Sequence, residues 1–109
     1  MKMLSRAEEL VLLAVWRLGD EAYGVSVRKH IIRATNEDWS IGAVYVPLDR
    51  LTKQGLLRAS QGTPTPERGG RSKRFYKLTT RGLEALRHTR RVQDSLWSEL
   101  PELKLDPEG

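Results

Sequence analysis

Arg68, Arg71, Lys73, Arg74 and Lys77 crowd into one short stretch, ERGGRSKRFYKLT, residues 67–79. Gly69-Gly70 sits among them, and Phe75-Tyr76 lies between the last two cations. The chemistry this suggests is phosphate recognition. A guanidinium presents a planar fork of donors that matches two phosphate oxygens. Adjacent glycines let a turn take positive φ and lie close against a surface. An arginine beside such a turn can grip a phosphate or enter a narrow minor groove. The plainer reading is a solvated basic hairpin tip, and the rest of the chain has to discriminate.

A second cluster is SIGAVY, residues 40–45. Ser40 can bond phosphate or a base, and Gly42 permits close backbone approach. Ala43 and Val44 are suited to a thymine methyl, and Tyr45 can reach phosphate through its hydroxyl or pack between helices. Arg50 and Lys53 follow and suit phosphate. No arginine or asparagine stands where it would plainly read guanine or adenine. Backbone contacts and groove shape are therefore expected to supply much of the affinity.

Other chemistries find little support. The two histidines, His30 and His88, lie among basic residues with no carboxylate or nucleophile at a telling spacing. There is no cysteine, hence no disulfide and no thiolate metal site. No P-loop, G-x-S-x-G or H-E-x-x-H is present. No catalytic residue, metal site or cofactor is expected.

Charge distribution points the same way as the first cluster. The net charge is +5, yet Arg58 to Arg91 holds ten Lys/Arg against two Asp/Glu. The remaining residues hold nine against twelve. A basic third in an otherwise acidic chain indicates a polyanion partner on one face. The length, 109 residues, suits one domain with a small core that a second copy would help to complete. The longest apolar run, Leu10 to Trp16, is far below the roughly 18 residues of a membrane span. No cleavable leader is evident, and a cytoplasmic, membrane-free protein is expected.

The elements that must hold these residues can be read in order. Ser5-Arg6-Ala7-Glu8 is a capping box for a first helix to about Leu18, stopped by Gly19-Asp20. Tyr23-Gly24 opens a second helix to about Thr35, with Val27, Ile31 and Ala34 on one side. Ser40 caps a third, from about Gly42 to Gln54, ended by Gly55, with Leu48 and Leu51 inward. Pro47 falls inside this helix and cannot donate to the Ala43 carbonyl, so a kink or a loose first turn is expected. Residues 56–60 and 73–78 read as strands of a hairpin whose tip is the basic stretch. Thr79 or Thr80 caps a last helix to about Leu100, stopped by Pro101.

The fold class is mainly α with a small β component (α+β): a winged helix-turn-helix followed by a C-terminal dimerisation helix. Residues 1–80 form the DNA-binding domain, 81–100 the dimerisation helix, and 101–109 a flexible tail. Leu83 and Leu86 belong to the core of one chain. Val92, Leu96 and Leu100, with Trp97 beside them, form a stripe beyond the compact domain. Together with Leu4, just ahead of the first helix, and Leu10 within it, it is expected to make a two-fold dimer interface. Trp97, paired across the axis, is also a candidate wall for a flat apolar ligand.

Three blocks, AYGVSVRKHI, SIGAVYVPLDRLTKQGLL and GGRSKRFYKLTTRGLEAL, occur in order. With their S-x-G-x-x-Y, L-x-x-L-x-x-x-G-L-L and G-R-x-x-R-x-Y-x-L-T patterns, the chain resembles the PadR family of bacterial transcriptional regulators over about residues 4–90. The resemblance implies a dimeric DNA-binding repressor. Its wing tip and the start of its third helix would touch double-stranded DNA, and its C-terminal helix would dimerise. Members often respond to small aromatic or lipophilic compounds. Many carry proline directly after the tyrosine, whereas here Val46 intervenes before Pro47. The short C-terminal part resembles the subgroup with a single C-terminal helix. Two rival readings are a winged-helix protein-interaction module and a small-molecule-binding dimer with weak DNA affinity.

Overall fold

A computed structural model describes residues 2–62 and 73–107. The order is α1 (Arg6–Leu18), a short 3-10 turn (Gly19–Glu21), α2 (Gly24–Thr35), α3 (Ile41–Lys53), β1 (Leu57–Gln61), β2 (Arg74–Leu78) and α4 (Thr80–Ser98). Three helices, a hairpin and a long last helix make a winged helix.

Local chemistry sets the boundaries. The Ser5 hydroxyl accepts from the Glu8 amide at 3.2 Å, and the Ser5 amide donates to the Glu8 carboxylate at 2.8 Å. This reciprocal cap satisfies two donors the first turn leaves open. The α2 helix opens with the Tyr23 amide donating to Ser26 Oγ at 3.0 Å and closes at Asn36, in the left-handed region at φ 55°. The α3 helix opens with the Ala43 amide donating to Ser40 Oγ at 3.1 Å. Just past its end, Gly55 takes φ 79°, where a side chain would be strained. Thr79 joins two element ends: its hydroxyl donates to the Gly55 carbonyl at 2.7 Å and accepts from the Gly82 amide at 3.1 Å.

The core lies where α1 meets α2, α3 and the hairpin. Val11, Leu12 and Val15 of α1 pack with Val27 and Ile31 of α2, Val44, Leu48 and Leu51 of α3, and Leu57, Tyr76 and Leu86. Each such side chain contributes about 1.5–3 kcal/mol by leaving water. The apolar α1 is not covered all round: Leu13 and Trp16 face outward. Ala34, expected inward, is exposed. The inward positions of α2 end at Ile31, because its last turn runs past the core. Pro47 is buried and α3 remains helical across it.

The strands pair antiparallel from Leu57↔Leu78 to Gln61↔Arg74. A third backbone segment joins them. Tyr23 makes an isolated antiparallel bridge to Phe75, and the Tyr76 amide donates to the Ala22 carbonyl at 2.9 Å. The hairpin is thereby bonded to the connection that opens α2.

The α4 helix begins inside the domain, with Ala85, Leu86 and Thr89 buried. The Thr89 hydroxyl accepts from the Leu4 amide at 3.1 Å. The helix runs beside α1 as far as Gln93, whose amide approaches the Glu9 carboxylate at 3.4 Å. Beyond it, Leu96, Trp97 and Leu100 are exposed.

Candidate nucleic-acid interface

Burial along α3 separates its two sides. Val44, Pro47, Leu48 and Leu51 face the core. With 3.6 residues per turn, the opposite ridge is Gly42, Val46, Asp49 and Lys53. Tyr45 flanks it on one side, Ala43 and Arg50 on the other. Val46 is 54% exposed, and a Cβ placed on Gly42 would meet open space. The ridge thus ends in a region with room for another molecule's backbone or groove edge.

Of the residues expected at DNA, Val44 does not reach the surface. Its side chain is fully buried and belongs to the core, so it does not meet a thymine methyl. Ala43 is exposed at the first turn, and Ser40 caps the helix while its hydroxyl remains at the surface. Tyr45 is 40% exposed, with its phenol against Gly24. It is neither a core aromatic nor a fully solvated one. Arg50 and Lys53 are exposed, and Lys53 Nζ lies 3.0 Å from the Asp49 carboxylate.

The base of the wing carries the other half of the surface. Lys73 Nζ stands 3.8 Å from the centre of the Tyr23 ring, and the Arg74 guanidinium 5.5 Å from that of Tyr76. Tyr23 meets Phe75 edge-on, centroids 5.6 Å apart. Such cation–ring contacts contribute about 0.5–1 kcal/mol at exposed sites and hold a cation in one place. Lys77 turns to Asp20 at 3.4 Å. Arg68, Gly69, Gly70 and Arg71 lie outside the described residues.

Burial pushes the Tyr76 phenol above the ordinary tyrosine value; Arg74 opposes the rise, while Tyr45 and Asp49 add to it. The Tyr45 phenol packs on Gly24, and the adjoining Tyr23 bridges to Phe75, so α3 and the wing base meet at the start of α2. The structure also brings Tyr23, Val46 and Asp49 to this surface, beyond the residues expected there. An aromatic directly before the glycine that opens α2 was the one available signal for Tyr23.

The stripe expected at a dimer axis is mixed. Leu96, Trp97 and Leu100 are exposed, Trp97 at 76%, and Val92 is half-buried. Leu4 and Leu10 pack partly against the core of their own chain, which leaves them only a partial surface for a partner. Among the described residues no group of three His, Cys, Asp or Glu can hold a metal ion, and no helix is long and apolar enough to cross a membrane.

The profile of the Transcriptional regulator PadR-like family matches residues 12–88, from the middle of α1 to α4. The chain belongs to that family. PadR-like proteins are DNA-binding regulators of transcription, not enzymes. A PadR family regulator from Eggerthella lenta is 27% identical, with TM-score 0.64, over 82% of this chain and 75% of that one. A PadR family regulator from Clostridium difficile is 21% identical, TM-score 0.62, over 82% and 91%. A PadR-like regulator from Bacillus cereus is 20% identical, TM-score 0.63, over 82% and 84%. The last two support the fold alone. No curated protein matches the chain.

Proposed function

We propose that this PadR-like chain is a homodimeric repressor that occupies an inverted-repeat operator through α3 and the cations of its wing, in the cytoplasm. The observation that supports the DNA surface is the packing of the Tyr45 phenol of α3 on Gly24, next to Tyr23, which bridges to Phe75 of β2 and carries Lys73 over its ring. A helix in the major groove and a wing on the adjoining backbone require that neighbourhood. Ser40, Gly42, Ala43, Tyr45, Arg50 and Lys53 serve the helix side. Lys73 and Arg74, together with Arg68, Gly69, Gly70 and Arg71, serve the wing side.

Dimerisation through Leu96, Trp97 and Leu100 is supported by their exposure beyond Gln93, since a single chain leaves that apolar stripe in water. A two-fold axis there would present two reading helices to half-sites roughly 34 Å apart. The repressor sign rests on the family resemblance. Trp97 and its symmetry mate would also frame a slot for a small aromatic or lipophilic effector.

The test is selection of genomic DNA fragments by the purified protein at about 150 mM salt, where non-specific binding is weak. A few fragments sharing an inverted repeat are expected. Random fragments would instead favour a protein-interaction module. Quenching of tryptophan fluorescence by planar apolar compounds, absent in Trp97→Phe, tests the effector slot.

A further inference from the structure

Asp49 stands out on the outward ridge of α3. Its neighbours along that ridge are Gly42, Val46 and Lys53, and Arg50 lies beside it. Its side chain is half-exposed, and its one described ion pair is to Lys53, itself 76% exposed. Such a surface pair is worth little and separates easily. A carboxylate carried toward a phosphate polyanion is repelled unless it meets a donor. Lys53 can exchange Asp49 for a phosphate, which frees the carboxylate for another donor.

The major groove offers few donors. Guanine shows two acceptors, N7 and O6, and thymine shows O4, so both repel a carboxylate. Adenine shows a donor beside the N7 acceptor. Cytosine shows the N4 amino group with no acceptor next to it on the same base. We infer that Asp49 is a specificity-determining residue, accepting a hydrogen bond from cytosine N4 at one position of each half-site.

This rests on the DNA-reading role of α3, and the experiment separates the two. Randomised duplexes are selected at fixed salt by the unaltered protein, Asp49→Ala and Asp49→Asn. The unaltered protein is expected to recover a motif with cytosine at one position per half-site. Asp49→Ala should lose that preference by about tenfold, keep the others, and bind random DNA more tightly because a repulsive charge is gone. Asp49→Asn, which offers both an acceptor and a donor, should shift the preference to adenine. If Asp49→Ala recovers the unaltered motif, or weakens every sequence alike, Asp49 merely positions Lys53 and the inference fails alone. If the unaltered protein recovers no motif, the reading of α3 fails and the inference with it.

Discussion

The phenol of Tyr45 occupies the space that a side chain on Gly24 would need. This contact closes the N-terminal ends of α2 and α3 on each other, and it holds a half-exposed tyrosine at the edge of the exposed face of α3. What yields when the space is filled separates this glycine from another. At Gly24 the obstacle is the free end of a side chain. At Gly82 it is the Leu56 backbone carbonyl, with Leu78 Cδ1 at 2.7 Å.

Gly24→Ala is therefore expected to change stability by less than about 1 kcal/mol, because Tyr45 swings out while alanine favours the helix. DNA affinity should fall as Tyr45 leaves its place. In a Tyr45→Ala background the same substitution should become stabilising. Gly82→Ala should destabilise by about 1–3 kcal/mol or more, since backbone cannot step aside. Denaturant melts of the double-mutant cycle and a DNA titration check these signs.

Lys73→Ala and Arg74→Ala should each weaken DNA binding and lower the salt slope by about one unit for every phosphate left without its cation. The measurement is affinity against salt concentration for each variant. A slope unchanged in both would remove the wing base from the interface.

Leu96→Asp should yield single chains in sedimentation equilibrium without loss of melting cooperativity, because Leu96 is 62% exposed within one chain. A variant that still sediments as a dimer would place the interface elsewhere.

Tyr76 gives a signature at alkaline pH. An unfolded tyrosine ionises at about 10, while the buried Tyr76 holds its proton to higher pH. Above that pH the folded state binds more protons than the unfolded one, so stability falls as pH rises. The contribution is whole below about pH 10 and is lost as pH passes through the folded value. Between pH 9 and about 11 the melting temperature should drop further for the unaltered protein than for Tyr76→Phe. Equal drops would show that Tyr76 is not held neutral by burial.

The parts of this fold legible in the sequence are those decided within a few residues. The Ser5 capping box, the glycine after α3 and the threonine before α4 each act on their own turn, so residue type and spacing suffice. Val44 was not legible. At the start of α3 a shift of one residue turns a side chain from groove to core, and packing against α1 and α2 fixes that phase. Ala34 shows the same limit at a helix end, where periodicity continues but the core does not. The Tyr23–Phe75 bridge joins residues far apart in the chain and leaves no local pattern. Asp49 carries no local signal, since a lone carboxylate on a helix face has the same pattern as an ordinary solvated charge.

The bond from the Tyr76 amide to the Ala22 carbonyl places one hydrogen-bonded proton under the control of two distant segments. Fraying of the hairpin alone cannot release it while the connection before α2 stays in register. Its exchange with solvent deuterium should follow opening of the whole domain, whereas amides toward the strand ends exchange through smaller, local openings. That single amide would then gauge whether bound DNA tightens the entire fold or only the wing.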